Sequence, residues 1–251
     1  MYIDRRLIFL IIALMLFSSF MSLFSQEGAL LSFVLTIPGI LTAITFHEFA
    51  HAFAADKLGD DTPRRQGRLN LNPFKHLDPF GTIMLVFAGF GWGKPVEINP
   101  RNFNRDISLS KAEAIVAAAG PIINFIIAIV FEVILCLVVK FVPGFYVVGE
   151  SIYASDQVWG IVATIISSVI SINIGLGIFN LIPLPPLDGS KILSGFLPYN
   201  ARNWMDSHSQ IFEIIFVALW IVGILSLIIS PIISAVNNGL TNLFMSMFGL
   251  I

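Results

Sequence analysis

Residues 29–55 read ALLSFVLTIPGILTAITFHEFAHAFAA. The run is apolar except near its end, where His47, Glu48 and His51 interrupt it. A helix crosses a bilayer with about 20 mostly apolar residues, so the stretch is long enough to span. Ionisable side chains inside a span are costly and default to a functional reading. His47 and His51 are four residues apart, which on a helix puts them about 40° apart and one turn displaced. Two imidazoles on one face can hold one zinc ion, and the intervening Glu48 can act as base on a water there. The spacing H-E-x-x-H is the zincin signature.

Composition supports a membrane setting. Of 251 residues, 56% are hydrophobic and 12% charged, and the mean hydropathy is +0.86. Soluble domains run at about 45–50% apolar and about 25% charged. A net charge of −2 argues against a nucleic-acid partner. The one cysteine, Cys136, rules out an intrachain disulfide and a thiolate zinc site, and reads as a small buried hydrophobe.

The expected fold class is an all-α polytopic membrane protein, one membrane-embedded domain over residues 1–251. Spans are expected at 7–24, 29–55 (with a kink at Pro38-Gly39), 112–139, 158–182 and 211–229, with a weaker sixth at 231–248. Basic residues gather before the first span, between the second and third from Lys57 to Lys111, and between the fourth and fifth at Lys191 and Arg202. The alternate loops hold Glu27, Glu150 and Asp156, with only Lys140 at a border. The positive-inside rule puts the N-terminus and both basic loops in the cytoplasm of a multi-pass cell-membrane protein; a sixth crossing would put the C-terminus there too. Asp56 is nine residues on from His47, so the histidines lie roughly 14 Å below the cytoplasmic edge.

Catalytic zinc takes three protein ligands and an open position for water. Two histidines leave one ligand to find. His76, in the basic loop, and His208, before the fifth span, read as interfacial or solvated; Asp188 is the better candidate. It stands next to last in NLIPLPPLDG, residues 180–189, in which three prolines prevent the fourth span from continuing as helix. Irregular backbone at membrane depth is tolerated against protein or a water-filled cavity.

Together the two motifs resemble those of the site-2 protease family of intramembrane zinc metalloproteases, which pairs H-E-x-x-H with a distant N-P-x-P-x-x-x-L-D-G. Asn180, Pro183, Leu187, Asp188 and Gly189 match, while Leu181 stands where the pattern has its first proline. The resemblance implies one Zn2+ held by His47, His51 and Asp188, with Glu48 as catalytic base. Residues 119–124, AGPIIN, look like the family's A-G-P-x-x-N, and residues 67–82 and 89–103 look like the connecting region of small bacterial members. The chain resembles a minimal member, without a PDZ or nucleotide-sensing domain. For Asp188 to serve, its loop must fold back from the end of the fourth span, with Gly189 relieving crowding.

Short β or re-entrant elements are expected between spans two and three. Residues 67–71 and 94–99 alternate like strands, and the apolar stretch 82–93 is too short to span. Such an element could pair with an unwound substrate or form a plain surface hairpin. Asn124 falls near the depth of His47, and Asn180 precedes the Asp188 turn; each is a candidate for substrate binding or for an interhelical hydrogen bond. Glu132 is expected near the outer surface, in reach of water.

The expected activity is zinc-dependent endoproteolysis in or near transmembrane segments. The partners are a membrane-spanning protein substrate and the bilayer, with a homo-oligomer as an allowed assembly. The alternative is a zinc-binding transporter or sensor without hydrolysis. Glu48 separates the two, because a transport site has no need of a base between its histidines.

Overall fold

The computed structural model describes residues 18, 21, 24–88, 93–148 and 151–251. The expected first span lies outside these but for residues 18, 21 and 24, as does the 89–92 part of the expected re-entrant stretch.

Helix α1, Ala29–Lys57, carries the motif. It runs continuously past Pro38, whose carbonyl accepts from Thr42 Oγ1 at 2.6 Å. Gly39 serves close packing: a Cβ there would lie 2.8 Å from Ile172 Cδ1 and 2.9 Å from the Ser168 carbonyl oxygen. Three short helices follow, α2 (Thr62–Arg65), α3 (Pro73–His76) and α4 (Pro79–Ala88). A 3-10 turn at Pro100–Asn102 leads to the long α5, Leu109–Phe141. Strands β1 (Phe145–Val148) and β2 (Ser151–Ala154) form an antiparallel hairpin with Tyr146 opposite Tyr153. Helix α6, Gln157–Asn180, starts where the Asp156 carboxylate accepts from the amides of Val158 and Trp159. Then come α7 (Asp188–Ser194), α8 (Tyr199–Ser207), α9 (Ser209–Ile221) and α10 (Ile224–Met247).

Helices α1, α5 and α6 pack on one another, and α10 lies against α5 and α6. Among the described residues, α1, α5, α6 and α10 are long and apolar enough to cross a membrane. The core is apolar at one end around Ala128, Leu135, Ile166 and Ile170, and at the other around Leu187, Phe216, Leu225 and Ile229.

The last part of the chain departs from expectation. In place of spans at 211–229 and 231–248, the break falls at Gly223, whose φ of 81° ends α9. Helix α9 has 13 residues, about 20 Å, too short to cross a hydrocarbon core of about 30 Å. Pro231 lies inside α10, which runs on through it. A proline interrupts only its own ladder bond, and neighbouring packing carries the helix past it. The start of α10 packs beside Leu187 and Phe216. Its far end reaches the hairpin, where Lys140 Nζ donates to the Phe248 carbonyl at 2.7 Å and Leu250 joins Phe145, Val147 and Ile152. The C-terminus therefore sits at the hairpin end of the bundle.

Regular strands also fall elsewhere than expected. Residues 67–71 are turns and bends, and 94–99 are irregular, joined to the preceding loop by a single bridge between Leu77 and Gly93. The hairpin lies instead between α5 and α6, where FYVV and SIYA are rich in aromatic and β-branched residues. Glu132 is fully buried beside Thr241 of α10.

Candidate metal centre

His47 and His51 are buried on the inner face of α1, on which they stack edge to face with ring centroids 4.6 Å apart. Space for them comes from α5, where a Cβ on Gly120 would stand 2.5 Å from His51 Nε2 and 2.6 Å from His47 Cε1. Residues 119–124 thus place their one side-chain-free position against the imidazoles.

Each ring is held by its other nitrogen. His51 Nδ1 lies 2.8 Å from the Val116 carbonyl oxygen, and His47 Nδ1 lies 2.7 Å from Asn124 Oδ1. Asn124 is fully buried, and its whole amide is committed. Its Nδ2 donates to the Ala43 carbonyl at 3.1 Å and to Asn173 Oδ1 at 2.9 Å, while Asn173 Nδ2 donates to the Val169 carbonyl at 2.8 Å. The backbone carbonyls at both ends of this chain fix which way each amide faces. Both Nδ1 atoms therefore meet pure acceptors and donate, which leaves both Nε2 atoms with bare lone pairs.

The third member arrives from the proline-rich loop. Leu187 is buried against Phe216 and Leu225, and Gly189 backs onto the end of α6, where a Cβ would meet the carbonyl oxygens of Leu181 and Ile182 at 2.4 Å. The crowding that Gly189 relieves is thus at the helix end. This anchoring turns Asp188 inward, with Oδ2 3.1 Å from His47 Nε2 and 3.2 Å from His51 Nε2. The two Nε2 atoms are 3.0 Å apart.

Three ligand atoms without protons thus form a nearly equilateral triangle, and Asp188 Oδ2 is buried with no hydrogen-bond donor. Lone pairs so arranged repel unless a cation lies among them. In a tetrahedral zinc site with bonds of about 2.0–2.1 Å, ligand atoms stand about 3.3 Å apart, close to what is found. Among the described residues this is the one group of three His, Cys, Asp or Glu side chains near enough to share a metal ion. Neutral imidazoles backed by an amide and a carbonyl, with one carboxylate, suit zinc.

Glu48 lines the same cavity as the two histidines, and its Oε2 accepts from the Val96 amide at 3.2 Å. Arg68 holds the segment leading into Val96 in place: its buried guanidinium donates to the carbonyls of Lys75, Lys94 and Pro95. Asn180 lines the cavity, with Nδ2 on the Leu176 carbonyl at 3.1 Å. His76 and His208 stand apart from the triangle. His76, expected near solvent, is fully buried on the Asn70 carbonyl, and His208 stacks on Trp204 at the start of α9. Asn173 and Arg68 were not singled out from sequence. An Asn midway along an apolar span was a visible signal; Arg68 looked like one more cytoplasmic charge.

A cavity of about 960 Å³ runs past these groups. Ile40 and Ile44 of α1, Ile172 and Leu176 of α6, and Ile229 and Ile233 of α10 wall its apolar end.

Helices long and apolar enough to cross a membrane, a His-His-Asp cluster close enough to share a metal ion and a neighbouring glutamate are the parts of a membrane metallohydrolase. The profile of Peptidase family M50 matches residues 35–223, which include every residue of the site. "Putative zinc metalloprotease YwhC" of Bacillus subtilis (strain 168) is 37% identical over 209 residues, 83% of this chain and 90% of that protein. Proteins of the same designation named Rip2 are 28% identical in Mycolicibacterium smegmatis and 27% in Mycobacterium tuberculosis strain H37Rv. The matches to Rip2 cover 66% of this chain and 58% of those proteins. No solved structure matches. The chain belongs to peptidase family M50, the site-2 protease family. It is an intramembrane zinc protease, and the transporter or sensor alternative is not favoured.

Proposed function

We propose that His47, His51 and Asp188 hold one zinc ion through their Nε2, Nε2 and Oδ2 atoms, and that Glu48 is the base of peptide hydrolysis. The observation that carries this is the convergence of three lone-pair atoms within 3.2 Å of one another. Bound zinc supplies Lewis acidity, which lowers the pKa of a water toward about 7 and polarises a peptide carbonyl. Glu48 accepts a proton from the attacking water and returns it to the departing amine. Its hydrogen bond from the Val96 amide holds the carboxylate at the cavity wall. Asn180 offers an amide to the substrate backbone at the cavity wall. Asn124, with no free donor or acceptor left for substrate, acts as a positioning residue that sets the tautomer of His47.

A substrate helix hides its carbonyls in its own ladder, so the cleaved segment must be unwound within the cavity. The apolar walls from α1, α6 and α10 suit the side chains of a membrane segment. We place the N-terminus and the loops around the site in the cytoplasm, by the distribution of Lys and Arg. With a first crossing at 7–24 and four more after it, the C-terminus lies outside. The whole chain then acts as one membrane domain.

The test is zinc content measured together with cleavage of a synthetic transmembrane peptide by the reconstituted protein. Glu48→Gln should keep one zinc per chain and lose cleavage. Cleavage at the wild-type rate would remove Glu48 as base.

A further inference from the structure

The cavity does not end at the metal ligands. Its other end is lined by Glu113 of α5, Lys191 of α7, and Arg202 and Asp206 of α8. Two of these stand one helical turn from the site. Lys191 is three residues on from Asp188, and Glu113 three residues before Val116, whose carbonyl holds His51. A turn is about 5 Å, so the charged rim begins about that far from the ligands.

Glu113 lies within electrostatic reach of the other three. Yet none of the four is ion-paired: apart from the histidines on Asp188, the pairs among the described residues are Arg64–Asp56 and Arg65–Asp61. Arg202 differs from its neighbours. Its Nε is buried with no acceptor, whereas neither rim carboxylate has a buried oxygen lacking a donor. A guanidinium does not shed its proton, so this donor cannot escape by neutralising. Arg202 as a whole lines the cavity wall with no ion-pair partner.

Resting on the assignment of His47, His51, Asp188 and Glu48 given above, we infer that Arg202, with Lys191 on the same rim, is a specificity-determining group that selects a carboxylate side chain on the substrate flank leaving the cavity at its charged end. Guanidinium and carboxylate form charge-assisted, bidentate pairs that a neutral side chain cannot match. An extended strand advances about 3.3 Å per residue, so a rim about 5 Å away meets a residue one to three positions from the cut. Glu113 and Asp206 face the same opening and disfavour a second acid, so a single carboxylate is selected rather than an acidic run.

The experiment uses the full-length, zinc-loaded protein in vesicles. Synthetic transmembrane peptides carry Glu, Gln or Lys in turn at successive positions beyond the cut, which is mapped by mass spectrometry. The expected result is a kcat/KM about tenfold higher for Glu than for Lys at one of those positions. The ratio should fall toward one in Arg202→Gln and invert in Arg202→Glu, with Lys191→Glu as the second variant if Arg202→Glu fails to retain zinc. An unchanged Glu-to-Lys ratio in these variants, or a wild-type preference for Lys, overturns the inference. Cleavage by Glu48→Gln would instead sink the assignment of the site. Equal cleavage of all three peptides by wild type, with Glu48→Gln inactive, removes only the role of Arg202.

Discussion

Two buried aspartates, Asp60 and Asp188, sit in this protein on opposite terms. Asp60 is fully buried just beyond α1, and both its carboxylate oxygens meet donors. Its Oδ1 accepts from the Thr62 amide at 3.1 Å, the Thr62 hydroxyl at 2.5 Å and Asn102 Nδ2 at 2.9 Å; its Oδ2 accepts from the Asn99 amide at 2.6 Å. Burial alone would raise its pKa, but the bonds from Thr62, Asn102 and Asn99 outweigh that and hold it below the usual carboxylate value. Asp188 turns Oδ2 toward two imidazole nitrogens that have no proton to give. A satisfied buried carboxylate ties backbone together; an unsatisfied one among bare nitrogens awaits a cation. The same residue type is a structural knot in one place and the proposed metal ligand in the other.

The sharpest break of this comparison is to neutralise each in turn. Asp188→Asn should lower kcat/KM by about 10³-fold or more and weaken zinc retention, because one ligand of three loses its charge. The zinc-free variant should unfold no more easily than the zinc-free wild type, since the substitution relieves lone-pair repulsion. A fall in the thermal midpoint of the metal-free protein would show that Asp188 holds the fold as Asp60 does. Asp60→Ala should do the reverse. It strands the donors of Thr62, Asn99 and Asn102, at a cost of about 2–4 kcal/mol, read by denaturant or thermal unfolding. Zinc bound per folded chain should stay at one. Loss of zinc from the folded fraction would break the distinction.

Much of this contrast was legible in the sequence at the metal end. His47, Glu48 and His51 share a helix, and their spacing reports geometry directly. Asp188 was named from the family's second motif, but its approach depends on Leu187 being buried by Phe216 and Leu225, contacts between distant parts of the chain. The end of the chain was misread for a physical reason. Pro231 looked like a boundary, and an embedded helix carried on through it, while Gly223 made the actual break through its left-handed φ. Asn124 was ambiguous because an amide in a span can face substrate or another helix, and Glu132 was misread as reaching water because a carboxyl near the end of a span can do so. Only packing told which: both are fully buried, and Asn124 bonds to α1 and α6.

Asn124 provides the next test, one step removed from the metal. Asn124→Leu removes the acceptor for His47 Nδ1 and leaves that N–H buried without a partner. Supporting groups of this kind are worth about 10- to 100-fold in metal affinity. Competition with a chelator should show a loss in that range, with kcat falling more than KM rises. A substrate-binding role would show the opposite split, a raised KM with zinc affinity intact.

The smallest expected effect lies in the Asp60 half of the comparison, at His76. It is fully buried, with Nε2 on the Asn70 carbonyl at 2.7 Å and Nδ1 without a partner. Burial lowers its pKa below 6.5; the Asn70 bond opposes this, and the charge of Arg68 adds to it. The folded protein thus keeps His76 neutral at a pH where the unfolded chain takes up a proton. Stability from this group is fully present above pH 6.5 and declines as pH falls from there toward the lowered folded value. Asp60 leaves this window undisturbed, because its depressed pKa makes its own contribution fade only below about pH 4. Thermal unfolding of wild type and His76→Gln between pH 7 and pH 5 should therefore converge as pH falls, the variant having the shallower slope. Parallel lines would mean that His76 stays uncoupled from protons.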